Sequence, residues 1–416
     1  MIKSMQWFNA LSTRPSLEAA VTEVVDKINK SLLGSPDLGI VFISSSYASD
    51  YPRLVPLILE KISLPLLIGC GGGGIVGISS TEQVMEIEND LALSLTVAQL
   101  PEVAIQPFSF SSQQLPDLDS SPQRWTELIN VPVEQNPQFI LLCDPFTSRI
   151  NDLLEGLDYA YPKSVKIGGL ASGGLSDRQA TLFYYDQNNP QIPKVQREGT
   201  VGIALSGNII VETIVAQGCR PIGEPYQVTE AERNIIITLS DPQKGGVFRP
   251  PLDILRELID TLSESEQQLV QTSLFIGIAR DEFKQDLKSG DFLIRNLLGV
   301  DPKQGAIAVG DRIRPGQRIQ FHLRDAATSA LDLELLLESS CAEQTPRSEP
   351  VGALMFTCLG RGQALYQQNN FDSELFRRYI PDIPLSGFFC NGEIGPVGGR
   401  TFIHGYTSAF ALFRQK

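Results

Sequence analysis

Histidine is almost missing from this chain: His322 and His404 are the only two among 416 residues. An ordinary zinc centre therefore has few ligands to draw on, and no metal site is expected. The six cysteines (Cys70, Cys143, Cys219, Cys341, Cys358, Cys390) are scattered, with no CxxC pair. That spacing suits neither a metal knuckle nor a disulfide framework. It fits reduced, mostly buried thiols in a reducing cytosol. Residues Met1 to Trp7 hold no apolar signal core, and no apolar run reaches the length of a membrane span. The expected location is cytoplasmic. Runs of Lys or Arg are lacking too, and 34 basic against 48 acidic residues leave a net charge of −14. Nucleic acid and anionic membranes both require a basic footprint, so neither is an expected partner.

Glycine, by contrast, is plentiful, and its clusters follow apolar runs. Gly39 to Ile43 is such a run; a helix-like segment from Leu54 to Ile62 leads to Pro65-Leu66-Leu67-Ile68-Gly69-Cys70 and four further glycines. Phe139 to Cys143, helix-like Arg149 to Leu157 and Val165 to Gly174 repeat the plan. Leu354 to Cys358, helix-like Gln363 to Tyr379 and Pro384 to Gly395 repeat it again. Each copy spans roughly thirty residues, the size of a βαβ unit. The fold class is therefore α/β with α+β mixing: two domains of mixed sheets flanked by helices, built on repeated strand–helix–strand–glycine-turn units.

Between the copies, apolar spacing predicts a helix over Leu11 to Ile28, capped at Thr13 or Ser16. Paired strands are expected over Gln83 to Gln99, a loop over Phe110 to Gln123, and a hairpin around Ser206-Gly207-Asn208. Pro and Gly interrupt both periodicities from Gln217 to Pro225, which places a domain boundary there. Beyond it, strands are expected at Ile235 to Leu239, Ser273 to Ile278, Phe292 to Leu297, Ala306 to Val309 and Arg318 to Leu323. Helices are expected at Pro251 to Leu262 and Asp325 to Leu337, and a polar loop at Glu343 to Pro350. The run from Thr401 to Phe413 reads as a returning strand.

Three chemistries compete for the glycine turns. Gly69-x-Gly71-x-x-Gly74 after an apolar strand, with Glu88 further on, has the spacing of a dinucleotide fingerprint. That motif must open a helix, and Ile75 to Thr81 is poor in helix formers, so no cofactor is expected. Cys390, Glu393 and His404 have the residue types of nucleophile, orienter and base. Buried cysteines more often just fill tight strand ends, so no catalytic residue is assigned. A thiol-dependent enzyme acting on a small metabolite through Cys390 remains the alternative.

Ligand binding is the preferred reading. Leu359-Gly360-Arg361-Gly362 links a strand end to a helix, where backbone N–H groups and Arg361 suit an anion. Arg400 suits bidentate pairing with a carboxylate, and Asn391 and Glu393 suit an amine. The structural counterpart is that both arginines form salt bridges and Asn391-Gly392 is only a turn. The expected ligand-binding set is Cys358, Arg361, Cys390, Asn391, Glu393 and Arg400, converging on one concave site.

The segments Gly218-Cys219-Arg220-Pro221-Ile222-Gly223, Gly310-Asp311-Arg312-Ile313-Arg314-Pro315-Gly316, Gly360-Arg361-Gly362 and Phe388-Phe389-Cys390-Asn391-Gly392-Glu393-Ile394-Gly395 resemble those of the FIST family (F-box and intracellular signal transduction). The resemblance implies a FIST N-terminal domain over 1–222 and a FIST C-terminal domain over 223–416, as in a stand-alone bacterial-type member. It also implies a sensory, signal-transducing protein that binds a small ligand, an amino acid or related carboxylate, and passes the signal to a protein partner. No output domain or F-box is visible, because the FIST parts consume nearly the whole chain. Many bacterial members carry a polar Gly-Cys-Ser-Thr turn where this chain has Gly69-Cys70 and four glycines.

Overall fold

A computed structural model describes residues 4–146, 149–173, 180–241, 244–282, 284, 286–342 and 348–416. Gly174 of the second glycine turn and residues 343–347 of the expected polar loop lie outside them. Residues Met1–Ala216 with Glu334–Lys416 form one compact unit, and Gln217–Leu333 form a second. The chain enters the second unit close to the boundary expected at 222/223. It then returns to the first unit at Glu334 instead of remaining outside it, because the second unit interrupts the third repeat in the sequence.

The first repeat runs β1 (Gln6–Ser12), α1 (Leu17–Ser31), β2 (Leu38–Ser44), α2 (Tyr51–Lys61), β3 (Leu66–Gly72), β4 (Gly74–Ile78), β5 (Val84–Glu88) and β6 (Leu93–Gln99). The second runs β7 (Val103–Phe110), α3 (Pro122–Ile129), β8 (Gln138–Cys143), α4 (Ile150–Ala160), β9 (Lys166–Leu170), β10 (Leu182–Asp186), β11 (Val195–Gln196) and β12 (Thr200–Gly207). β13 (Ile210–Ala216) opens the third repeat.

The second unit follows: β14 (Arg220–Glu232), β15 (Ile235–Asp241), β16 (Val247–Arg249), α5 (Pro251–Asp260), α6 (Glu264–Ser273), β17 (Leu274–Ala279), β18 (Phe292–Asp301), β19 (Ala306–Val309) and β20 (Arg318–Leu323). After α7 (Ala326–Ala342), the third repeat resumes with β21 (Gly352–Cys358), α8 (Gln363–Tyr366), α9 (Phe371–Tyr379), β22 (Leu385–Cys390), β23 (Glu393–Val397), β24 (Arg400–His404) and β25 (Ser408–Arg414).

Three six-stranded sheets share one plan: β1-β6-β2-β3-β10-β11, β7-β12-β8-β9-β23-β24 and β13-β25-β21-β22-β4-β5. In each, a parallel pair sits at the centre: β2 with β3, β8 with β9, β21 with β22. Gly69, Gly168 and Gly387 occupy the same position in the three pairs, opposite Val41, Leu141 and Met355. A Cβ at any of them would lie within 2.1 Å of the facing carbonyl oxygen, so the strands can approach only where no side chain exists.

The outer strands are exchanged in a cycle. β4 of the first repeat pairs with β22 of the third, β10 of the second with β3 of the first, and β23 of the third with β9 of the second. Each sheet therefore needs two repeats. The apolar faces meet in shared clusters, one of which joins Trp7, Phe42, Ile140, Phe356, Phe388 and Phe413.

The second unit is antiparallel throughout. β14 pairs with β20 through its first half and with β15 through its second, closing a ring of six strands with β16 added to β15. Its core sets Ile236, Ile276, Ile307 and Phe321 against Leu252 and Leu255 of α5.

Several expectations change. The helix expected from Leu11 starts at Leu17, with Ser16 as its cap, because β1 takes Leu11 and Ser12 to pair with β6. Pro221 and Pro225 do not break the chain; β14 carries both, with a register shift between Ile222 and Tyr226 that absorbs the missing N–H groups. The single strand expected from Thr401 is two strands in different sheets, turning at Gly405 to Thr407. Asn391-Gly392 is not the hairpin turn: Gly392 is extended, and the chain crosses there from one sheet to the next. The hairpin turn is Gly398-Gly399, both at positive φ, between Val397 and Arg400.

Candidate functional site

The carboxyl ends of β3, β9 and β22 converge, one from each repeat. Ser172, just past β9, ties them together: its N–H donates to Gly71 O and its hydroxyl to Phe389 O, while it accepts from Gly73 N–H. Leu170 N–H donates to Gly392 O, and Asn391 N–H donates to Leu170 O. Crevices past strand ends are where open α/β sheets bind ligands, which is why the turns drew attention.

Four of the six expected residues do gather near this junction. Cys358 and Cys390 face each other in register on β21 and β22. Glu393 is buried at the start of β23 and accepts from Thr407 N–H at 3.1 Å. Arg361 reaches the same turn, donating to Tyr406 O at 3.3 Å. Asn391 joins through its backbone only, since its side chain is exposed. Arg400 is not brought in. It sits at the tip of the β23–β24 hairpin opposite Val397, which is four residues along β23 from Glu393, about 13 Å at strand spacing. There it is exposed, with its guanidinium 6.0 Å from the Phe402 ring.

Arg361 is a structural ion. It is 0% exposed and holds Asp372 bidentately, Nε to Oδ2 at 2.7 Å and Nη2 to Oδ1 at 2.9 Å, while Nη2 also donates to the Tyr366 hydroxyl. Burial alone would lower its pKa, but Asp372 more than compensates and holds it raised. Four of its five N–H donors are thus engaged, leaving little for a ligand carboxylate.

The thiol reading fares no better. Cys390 is buried, donates to Phe388 O at 3.5 Å and packs against Gly169. Burial, then the Glu393 carboxylate, pushes its pKa well above the ordinary thiol value, which opposes the thiolate a nucleophile needs. His404 spends Nε2–H on Gly395 O at 3.0 Å. Among the described residues, no group of three His, Cys, Asp or Glu side chains is arranged to hold a metal ion.

A separate cavity went unnoticed in the sequence. It encloses about 300 Å³ and is lined by Trp7 and Asn9 of β1, Lys27 of α1, Glu82 of the β4–β5 turn, Arg377 of α9 and Asp382. Trp7 is 4% exposed and stacks on Phe413, with ring centroids 4.2 Å apart. Its indole N–H is buried without a hydrogen-bond partner among the described residues. Lys27 donates to Ser79 O and pairs with Glu82 at 3.2 Å; Arg377 donates to Glu82 O at 2.9 Å. Two cations and two carboxylates therefore share one hollow whose wall includes the Trp7 side chain. The alternation of Trp7, Asn9 and Leu11 along a strand was the available signal.

Comparison with known proteins agrees with the family resemblance. A FIST N domain matches residues 37–241 and a FIST C domain residues 251–396. An uncharacterised protein of Mycobacterium tuberculosis is 36% identical over 97% of this chain and 98% of its own. F-box only protein 22 of Homo sapiens is 36% identical over 58% of this chain and 57% of its own. Among solved structures, a cyanuric acid hydrolase from A. caulinodans overlaps 99% of both chains at 8% identity, with a TM-score of 0.35, too low to carry an argument. FIST domains are associated with sensory and signal-transduction functions. With both domains in order and near-full-length relatives at this identity, the chain belongs to the FIST family.

Proposed function

We propose that this protein is a small-ligand-binding signal-transduction protein whose ligand, an amino acid or related carboxylate, occupies the cavity beside Trp7. The grouping of Lys27 and Arg377 with Glu82 and Asp382 around one cavity carries the reading, because charges of both signs at the wall of a hollow suit a ligand that bears both. A ligand carboxylate faces Lys27 and Arg377, while Glu82 and Asp382 receive an ammonium. Cys358, Arg361, Cys390 and Glu393 serve as the rigid frame of the junction between repeats. A cytoplasmic setting and a protein partner for the signal complete the proposal. No helix among the described residues is long and apolar enough to cross a membrane.

The test is a thermal-unfolding screen against the amino acids and their carboxylate analogues, followed by titration calorimetry. A true ligand at a hundredfold excess over its dissociation constant adds about 2.7 kcal/mol of stability. Arg377→Ala removes one cation from the cavity wall, so it weakens the carboxylate by about 1.5–3 kcal/mol. A screen in which no such compound binds, or binding indifferent to Arg377→Ala, overturns the assignment.

A further inference from the structure

One wall of the cavity is a contact between repeats, and a buried carboxyl pair lies within it. The β4–β5 hairpin of the first repeat is docked on α8 and α9 of the third. Glu86 of β5 accepts from Ser373 N–H at 2.7 Å, capping the start of α9 from another repeat. Glu86 N–H donates to Asn370 Oδ1 at 2.7 Å, and Glu88 accepts from Gln363 N–H at 2.8 Å. One helical turn past Ser373 stands Arg377, and four residues before Glu86 stands Glu82. Their bond, Arg377 Nη1–H to Glu82 O, belongs to the cavity wall. Cap and wall are thus two points on one contact.

The cap contains a conflict. Glu86 is 5% exposed, and its Oε2 has no hydrogen-bond partner among the described residues. Asp372, next to the capped Ser373, is 1% exposed and already claimed by Arg361. The other groups near Glu86 do not relieve it: Glu88 is a further acid on its own strand, Tyr366 is a phenol bonded to Arg361, and Glu374 is exposed. β4 brings only Gly74 to Ile78, with no titratable side chain, and β21 brings Thr357 to Asp372. One arginine therefore serves two carboxyls.

We propose that Glu86 and Asp372 form a proton-operated latch. With a proton on Glu86, the hairpin stays capped on α9 and the cavity wall is closed; when that proton leaves to solvent, two buried carboxylates share one cation and the hairpin is released from the helix. Burial first, and Asp372 second, push the Glu86 pKa from 4.5 to about 8, in keeping with this geometry. The sign follows. A carboxyl whose pKa is raised in the docked state holds stability below its free value and loses it as pH rises towards the docked value. Undocking therefore increases with pH between about 4.5 and 8, by at most tenfold per pH unit, and levels off above that. The consequence for ligand affinity rests on the cavity reading, but the latch itself needs no ligand.

Hydrogen–deuterium exchange of the unliganded full chain, corrected for intrinsic rates, tests it. Between pH 6 and 8, exchange of the amides over 84–88 and 371–376 is expected to rise at least tenfold more than that of β2 and β8, then flatten. Glu86→Gln keeps the acceptor for Ser373 N–H and carries no charge, so its profile is expected to be flat across the same range. Flat exchange in the unmodified chain overturns the proposal even if the variant fails to fold, and so does an unchanged rise in Glu86→Gln. A negative ligand screen beside a positive exchange result would remove the cavity ligand and leave the latch.

Discussion

Replacing Arg361 by methionine separates a structural ion from a ligand-binding one. Methionine fills much of the same volume and leaves Asp372, 1% exposed, as a buried carboxylate without its cation. Breaking a buried pair from one side costs about 3–5 kcal/mol, because the abandoned charge cannot reach water. The compact unit that holds the pair, Met1–Ala216 with Glu334–Lys416, is roughly 300 residues. Its unfolding entropy is about 0.6 kcal/mol per kelvin, so the midpoint should fall by about 5–8 °C. Thermal and guanidinium unfolding measure this directly. Pairing Arg361→Met with Asp372→Leu should recover most of the loss, since removing both charges removes the uncompensated one. Had Arg361 been kept for a ligand, Arg361→Met would cost under about 1 kcal/mol in stability while abolishing carboxylate binding. That result would refute the reasoning and return Arg361 to the site.

Gly69→Ala, Gly168→Ala and Gly387→Ala should each destabilise by about 3 kcal/mol or more, since each new Cβ meets a backbone oxygen that cannot yield. Gly405→Ala, with nothing within 4 Å, is the control and should stay within about 0.5 kcal/mol in the same denaturant series. For the thiols, iodoacetamide labelling read by mass spectrometry should modify exposed Cys341 first, with Cys390 protected until the chain unfolds; rapid native labelling of Cys390 would revive the nucleophile reading.

The repeats were legible because their signals are local. Apolar runs five or six residues long, each closed by glycine, mark parallel strands whose neighbours come too close for a side chain, and Gly69, Gly168 and Gly387 met that condition in order. Local signals also misled. Leu11 fits the apolar stripe of α1 as well as the inward face of β1, and only pairing with β6, more than eighty residues later, decides for the strand. Pro221 and Pro225 look like breakers until a register shift accommodates them. The site suffered most. Arg361 was in view, but its pairing with Asp372 depends on how α8 and α9 fold back. Glu86, the acid that completes the cluster, arrives on a strand lent by another repeat. Trp7 looked inert because the cavity it lines is closed by α9 and by residues 382–384, near the other end of the chain.

The exchange of strands also bears on where a second fold can be accommodated. Each repeat lends an outer strand, β4, β10 or β23, to a sheet centred on another, so an insertion between the central pair and the lent strand would disturb two sheets at once. The link between the edge strand and the first central strand carries no such duty. Repeats one and two place the helices α1 and α3 there. Lengthening a surface link costs little, because closure entropy grows only with the logarithm of its length. The 217–333 unit occupies that link in repeat three, between β13 and β21, and brings its own closed ring and its own core. The cavity and the carboxyl pair are built instead from β1, α1, the β4–β5 hairpin and α9, elements of the exchanged framework itself. The proposed ligand cavity therefore lies in the part of the chain where each sheet draws its strands from two repeats.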